Sequence, residues 1–149
     1  MFERYTEKAR RVIFFGRYEA SAFGGQYLET EHLLLGILRE DQDLLPQLGL
    51  ARDAAQSIRK AIERRIQVGK IIATSVDMPL SHASKRVLAY GAEESERFGS
   101  REITQRHLFL GLLRETSCTA AEVLREHGVS ETQVRDLLAL TPRTPPDGS

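Results

Sequence analysis

An all-α fold made of two tandem four-helix repeats, related by a pseudo-two-fold axis, is what this sequence predicts. The two halves of the 149-residue chain align, most densely where residues 32–40 (HLLLGILRE) match 107–115 (HLFLGLLRE). Apolar residues recur at helical spacing in both halves, and no segment shows the strict alternation of a half-buried strand. Turn-forming glycines follow the first periodic segment of each half. Each half therefore indicates the same set of helices.

The first helix of each repeat is predicted to begin at a hydroxyl side chain and to end at a glycine. Thr6 and Ser81 occupy equivalent positions, and each can accept a hydrogen bond from an N–H of the first helical turn. Gly24 and Gly99 stand at the predicted ends, because glycine adopts the left-handed conformation of a helix C-terminus without steric cost.

The other helices follow from leucine-rich and alanine-rich segments whose apolar faces are expected to form the core. Ser130 and Gln133 have the spacing of a capping box, which marks the start of the last helix. The first repeat is four residues shorter than the second in the loop before Gly49. The predicted second, third and fourth helices lie at about 30–39, 44–48 and 51–66 in the first repeat, and at about 104–114, 120–124 and 130–140 in the second.

These helices divide the chain into three segments and a tail. Repeat one is predicted at about 1–66, a linker at about 67–79, and repeat two at about 80–140. The proline-rich residues 141–149 are predicted to be disordered.

The composition narrows the possible partners and the compartment. The formal net charge is zero at pH 7, which argues against a dedicated nucleic-acid-binding protein. Cys118 is the single cysteine, so no internal disulfide can form and a reducing compartment is expected. Without an apolar signal sequence or a membrane-length apolar run, the sequence predicts a cytoplasmic protein that does not bind membranes.

No catalytic, metal or cofactor site is predicted. Cys118 has no neighbouring base, and no nucleophile, base and orienting group can be assembled from the spacing. His32 and His107 are repeat equivalents without the spacing of metal ligands, so we expect them to support helix starts. Gly69 and Lys70 lack the surrounding residues of a Walker A loop, so no ATP site is expected.

A second hypothesis rests on the charge of the predicted fourth helix. It describes a free-standing helical regulator that binds nucleic acid or an acidic protein. No aromatic residues interleave with the cations, which favours a solvated face or acidic-partner docking over nucleic acid. Glu93 and Glu94 are likewise expected on a solvated face. The basic residues are Arg52, Arg59, Lys60, Arg64, Arg65 and, beyond the helix, Lys70.

The segments 2–12 (FERYTEKARRV) and 30–40 (TEHLLLGILRE) closely resemble the N-terminal domain of the Clp ATPases, and most closely that of the ClpC branch of these AAA+ unfoldases. The resemblance covers about residues 1–140. It implies a double four-helix unit that binds adaptor proteins and unfolded substrates for the Clp ATPase and protease machinery. In the ClpC branch it also implies recognition of arginine-phosphorylated substrates. The chain would be either an excised domain or a free-standing one.

The resemblance places phosphoarginine binding at Thr30 and Glu31. With Thr30 as N-cap, Glu31 would occupy the first helical position, where it could bind the guanidinium while backbone amides hold the phosphate. Glu29 adds negative charge that would weaken phosphate binding. Gln105 and Arg106 replace the motif in the second repeat, so that site is expected to be lost. The alternative is that Thr30 and Glu31 only stabilise the helix start.

A groove between the repeats is the other candidate substrate site. Arg10 and Lys85 are repeat equivalents that are expected to flank the pseudo-two-fold axis, with Phe2 and Leu80 nearby. An apolar floor with two cations would suit a peptide that carries an acidic or phosphorylated group. The alternative, in which Phe2 and Leu80 belong to the core and the cations are solvated, stays open at this point.

Overall fold

The computed structural model describes residues 2–66, 69–74 and 76–140. Its regular elements are helices in the same order in both halves, which confirms the predicted all-α tandem repeat. No helix in these ranges is long and apolar enough to span a bilayer. The tail predicted at 141–149 lies outside the described residues. The helices are α1 (Glu7–Phe23), α2 (Thr30–Glu40), α3 (Leu44–Gln47), α4 (Ala54–Arg65), α5 (His82–Arg97), α6 (Gln105–Arg114), α7 (Thr119–Glu126) and α8 (Glu131–Leu140).

The ends of the first helix of each repeat are fixed as the sequence predicts. The Thr6 hydroxyl accepts a hydrogen bond from the backbone N–H of Ala9 at 3.2 Å. The Ser81 hydroxyl accepts the equivalent bond at 3.1 Å. Gly24 and Gly99 have φ angles of 73° and 67°, in the left-handed region. Local chemistry alone therefore sets these helix boundaries.

The repeats differ most in their third helices. α3 has 4 residues and α7 has 8, so the extra residues of the second repeat lengthen a helix. The expectation that they lie in a loop was wrong. In the first repeat α4 begins at Ala54, because residues 51–53 form a turn in which the Ala54 N–H bonds the Ala51 carbonyl at 3.0 Å. The α8 start is as predicted, with the Ser130 hydroxyl accepting from the Gln133 N–H at 3.2 Å.

The glycine of each leucine-rich motif lets two helices touch through their backbones. A Cβ on Gly36 would lie 2.5 Å from the carbonyl oxygen of Val12, and one on Gly111 would lie 2.4 Å from that of Val87. Both distances are well inside van der Waals contact, and the atoms met are backbone atoms that cannot rotate away. A side chain at either glycine would therefore push α2 from α1, or α6 from α5.

Gly111→Ala is expected to lower the free energy of unfolding by about 1–3 kcal/mol, the usual cost of overpacking a core. Urea denaturation followed by helical circular dichroism measures this change. Gln56→Ala, at an exposed position of α4, is the control and should leave the midpoint nearly unchanged. Equal midpoints for the two variants would show that α5 and α6 separate without cost.

The two repeats are interlocked through their N-terminal segments. Two isolated parallel β-bridges join Tyr5 to Ile103 and Leu28 to Leu80. In each bridge, the segment before the first helix of one repeat pairs with the loop after the first helix of the other. The Thr6 N–H, for example, donates to the Ile103 carbonyl at 3.0 Å. Buried residues of both repeats form a single hydrophobic cluster, so the repeats share one core.

Candidate functional site

Helix α2 begins at Thr30, as the sequence predicts, but its N-cap is the residue before Thr30. Glu29 is the N-cap, with an extended backbone (φ −92°, ψ 168°), and its N–H donates to Nδ1 of His32 at 3.0 Å. The expectation that Thr30 caps the helix was wrong, because this contact to His32 fixes Glu29 outside the helix. Thr30 and Glu31 are therefore the first and second helical residues, and both are buried.

The paired histidines support the starts of α2 and α6, as the sequence predicts. Nδ1 of His107 accepts from the Thr104 N–H at 2.9 Å, which repeats the contact of His32 in the first copy. Each imidazole lies 6.1 Å from an aromatic ring, that of Phe23 for His32 and that of Phe98 for His107. Burial lowers the pKa of both histidines to about 4. They are neutral structural groups at pH 7.

Glu31 is a buried carboxylate that has no cationic partner among the residues that the structure describes. Glu31 is 9% exposed. Burial raises the pKa of its carboxyl, and the nearby charge of Glu29 raises it further. A backbone hydrogen bond and the Thr30 hydroxyl, 3.4 Å from Oε1, oppose this shift in part. A buried anion that has hydrogen bonds but no counter-ion is costly, and an incoming cation would relieve that cost.

The other buried carboxylates in the described ranges are paired with arginine. Glu19 accepts from Arg59 at 3.1 Å. Glu94 accepts from Arg114 and Arg135 at 3.0 and 3.1 Å. We expected Glu94 on a solvated face, and that was wrong, because these two arginines neutralise it within the core. The sequence signal for this buried role was that Glu94 aligns with Glu19 in the other repeat. A solvated glutamate could stand at different positions in the two repeats.

The equivalent site in the second repeat is filled by the chain itself. Arg106, at the position of Glu31, donates from Nε and Nη2 to the Asp41 carboxylate at 2.8 and 3.2 Å. Gln105 donates to the same carboxylate at 2.8 Å, and Arg106 also donates to Gln47 at 2.8 Å. Burial opposes ionisation of Asp41, but the bonds from Arg106 and Gln105 outweigh it and lower its pKa. Here the guanidinium and its carboxylate both belong to the protein.

Thr30 places the first site at the boundary between the repeats. Its side chain lies near Cys118, the N-cap of α7, and lowers the pKa of the Cys118 thiol in part. The Cys118 sulfur accepts from the Ala121 N–H at 3.4 Å, and burial raises the pKa of the thiol. A buried, protonated thiol is not a nucleophile. Within the described residues no group of histidine, cysteine and carboxylate side chains could hold a metal.

The four residues of the predicted groove differ in exposure. Phe2 is partly buried, with its ring centroid 4.9 Å from that of Tyr5. Leu80 is partly buried as well and forms the bridge to the first repeat. Arg10 and Lys85 are exposed. The apolar pair therefore lies at the edge of the core, and the groove stays a prediction.

The basic residues of α4 do not form one continuous surface. Arg59 binds Glu19 on α1, and Arg65 binds Glu122 at 3.2 Å and also Glu126 on α7. These two arginines fasten α4 to its neighbours. The exposed cations that remain are Arg52, Lys60, Arg64 and, past the helix, Lys70.

Fold and site together define a double four-helix repeat domain in which, among the described residues, the buried carboxylate of Glu31 has no arginine partner. The chain belongs to the Clp repeat (R) N-terminal domain family, whose model matches residues 4–127 and 80–147.

Relatives and solved structures agree with this assignment. The chloroplastic chaperone protein ClpC of Pisum sativum is 37% identical over an alignment of 141 residues that covers 91% of this chain and 15% of that protein. Chloroplastic ClpC1 of Arabidopsis thaliana is 36% identical over 91% of this chain and 14% of its own length. The chain thus spans about one-seventh of these relatives.

Among solved structures, the N-terminal domain of the chaperone ClpD from Arabidopsis thaliana aligns with a TM-score of 0.72 at 29% identity, covering 93% of this chain and 94% of that one. The Hsp104 N-terminal domain from Candida albicans has a TM-score of 0.71 at 17% identity, over 93% of this chain and 91% of that one, and supports the fold.

Proposed function

We propose that this domain is a non-catalytic docking module that presents adaptor proteins and unfolded substrates to a Clp-type AAA+ ATPase and protease. Glu31 is the anchor of its ligand site and binds the guanidinium of an arginine or phosphoarginine side chain. The observation that carries this proposal is that Glu31 alone, among the buried carboxylates of the described residues, has no arginine partner.

The second repeat supports guanidinium as the ligand group. At the equivalent position of that repeat, the Arg106 guanidinium donates two hydrogen bonds to the buried carboxylate of Asp41. Such bidentate, charge-assisted pairs are the strong form of this contact. In the first repeat the carboxylate is supplied and the guanidinium is not, so a ligand completes the pair.

A phosphate on the guanidinium would meet the first-turn amides of α2, where the helix dipole favours an anion. Glu29 at the N-cap opposes that charge. We therefore expect the guanidinium to supply most of the affinity. The phosphate should add less affinity than an anion usually gains at a helix N-terminus. The basic α4 gains no support as a nucleic-acid surface, since Arg59 and Arg65 bind carboxylates of this chain.

Calorimetric titration with phosphoarginine, and separately with arginine, tests the proposal. The wild-type domain is expected to bind phosphoarginine at one site, and Glu31→Gln is expected to abolish binding. Glu63→Gln, at an exposed position of α4, is the matched control and should bind like the wild type. Binding that survives Glu31→Gln, or an absence of binding to the wild type, would refute the proposed site.

Glu31→Gln is also expected to stabilise the unliganded domain at pH 7. The raised pKa of Glu31 means that burial favours its neutral form, so its contribution to stability is present at low pH and is lost as pH rises through the folded pKa. Glutamine removes the charge while keeping the shape. Thermal unfolding should show a higher midpoint for the variant at pH 7 and equal midpoints below about pH 4, where the carboxyl is protonated. A lower midpoint at pH 7 would show that the carboxylate is compensated.

A further inference from the structure

The outward face of α1 carries an exposed aromatic ridge, formed by Phe14 and Tyr18. Phe14 is 66% exposed and Tyr18 is 53% exposed. They stand one helical turn apart, so their side chains are neighbours on one face of the helix. Arg10, also exposed, continues the same row one turn earlier. Contiguous exposed apolar surface marks contact sites more often than single scattered apolar side chains do.

Arg39 of α2 borders this ridge. Its guanidinium carbon lies 4.1 Å from the ring centroid of Phe15 and 5.7 Å from that of Tyr18. Cation–π contacts of this kind hold the guanidinium in place while leaving its N–H groups available. No carboxylate of the described residues forms an ion pair with Arg39.

The second repeat has a different surface at the equivalent place. Ala89 and Glu93 stand where the first repeat has Phe14 and Tyr18. Arg114, the equivalent of Arg39, lies 4.3 Å from the Tyr90 ring but binds Glu93 at 3.2 Å, as well as the buried Glu94. The second repeat thus folds without an aromatic ridge, and its Arg114 is neutralised by Glu93 and Glu94. The ridge is therefore a specific feature of the first repeat that folding does not require.

Charge and shape together select the partner. The exposed Arg10 and Arg39 flank the ridge, and the half-buried Arg17 donates to the Ala73 and Val76 carbonyls. Of the acidic residues nearby, Glu7 is bound to Arg11 at 3.2 Å, and Glu3 lies within electrostatic reach of Arg10. The cationic border favours an acidic partner. A row of side chains spaced i, i+4 is the ridge that fits into the groove of another helix in the commonest mode of helix packing.

We infer that the aromatic ridge docks an acidic amphipathic helix of a partner protein, with Phe14 and Tyr18 packing between its apolar side chains and Arg10 and Arg39 pairing with its carboxylates. This surface is separate from the Glu31 site, because Phe14 and Tyr18 lie on the exposed face of α1 and Glu31 is buried at the start of α2. The inference does not depend on guanidinium binding.

The probe is a fluorescein-labelled, alanine-rich peptide of 18 residues, roughly five helical turns, with leucines at i, i+3, i+4 and i+7 and glutamates flanking that face. A twin peptide carries lysines in place of the glutamates. Fluorescence anisotropy measures the binding of both to the wild-type domain, to Phe14→Ala/Tyr18→Ala and to Arg39→Ala. Leu140→Ala, which removes another exposed apolar side chain (83% exposed), is the control.

The acidic peptide is expected to bind the wild type and the Leu140→Ala control equally. The aromatic double variant should weaken binding by about tenfold or more, as at other hot spots. Arg39→Ala should weaken it less and reduce its salt dependence. Failure of the acidic peptide to bind, equal binding of the lysine twin, or full binding by the double variant would each overturn the inference. Phosphoarginine titration of the same double variant should match the wild type, so failure here is distinguishable from failure at Glu31.

Discussion

Glu94→Ala is expected to destabilise the domain by about 3 kcal/mol or more, the usual cost of removing one partner of a buried ion pair. The Glu94 side chain is fully buried and binds Arg114 from α6 and Arg135 from α8. It thereby joins α5 to two other helices of its repeat. Burial opposes ionisation of Glu94, but the hydrogen bond and charge of Arg135 outweigh it and lower its pKa. Loss of the carboxylate would leave two guanidinium groups that repel each other.

Glu93→Ala provides the matched control, because Glu93 precedes Glu94 and binds the same arginine at 3.2 Å from an exposed position. An exposed pair of this kind contributes below about 1 kcal/mol. Urea denaturation of both variants measures the difference. Equal losses of stability would contradict the structural role given to the buried carboxylate.

Stability is also expected to fall steeply between pH 6.5 and pH 4. His32 and His107 have pKa values lowered to about 4 by burial, whereas an unfolded histidine titrates near pH 6.5. Within this window the unfolded chain binds protons that the folded chain does not, so the stability present at neutral pH is lost as pH falls. Each histidine contributes a slope of about 1.4 kcal/mol per pH unit while it is protonated only in the unfolded state.

Urea denaturation at a series of pH values measures this slope. His107→Gln is expected to reduce the slope of stability against pH by about the share that one histidine contributes. The variant also has a lower stability at pH 7. His82→Gln changes an exposed histidine outside both helix starts and serves as the control variant. Glu31 has the opposite effect on stability as pH falls, because burial raises the pKa of its carboxyl and protonation therefore favours the folded state. A flat stability profile from pH 7 to pH 5 would contradict the neutral, buried state of both histidines.

The parts of the fold that depend on neighbouring residues could be predicted from the sequence. The caps at Thr6 and Ser81 and the capping box at Ser130 each need only a hydroxyl close to the N–H groups that it accepts from. The N-cap of α2 was expected at Thr30 and lies at Glu29, whose backbone N–H donates to His32. That choice depends on the packing of His32 beneath Phe23, which local propensity does not describe.

The site could be predicted in part. Resemblance to the Clp family pointed to Thr30 and Glu31, and the charge reversal at Arg106 was visible in the alignment of the repeats. Asp41 was missed, because its partners Gln105 and Arg106 lie in the other repeat and become neighbours only after the repeats pack together. The burial of Glu31, and its lack of a counter-ion within the described part of the chain, are likewise properties of the packed structure.

The ligand site is proposed to lie where a buried glutamate has no arginine of the protein as its partner. The number of phosphoarginine molecules bound per domain tests this proposal most directly. The variant Asp41→Thr/Gln105→Thr/Arg106→Glu replaces the three residues of the second site by their repeat equivalents at the first site, which are Thr116, Thr30 and Glu31. Calorimetry should find one site in the wild type and two in this variant. Two sites in the wild type, or one site in both proteins, would contradict the proposal that Arg106, in place of a glutamate, prevents binding at the second site.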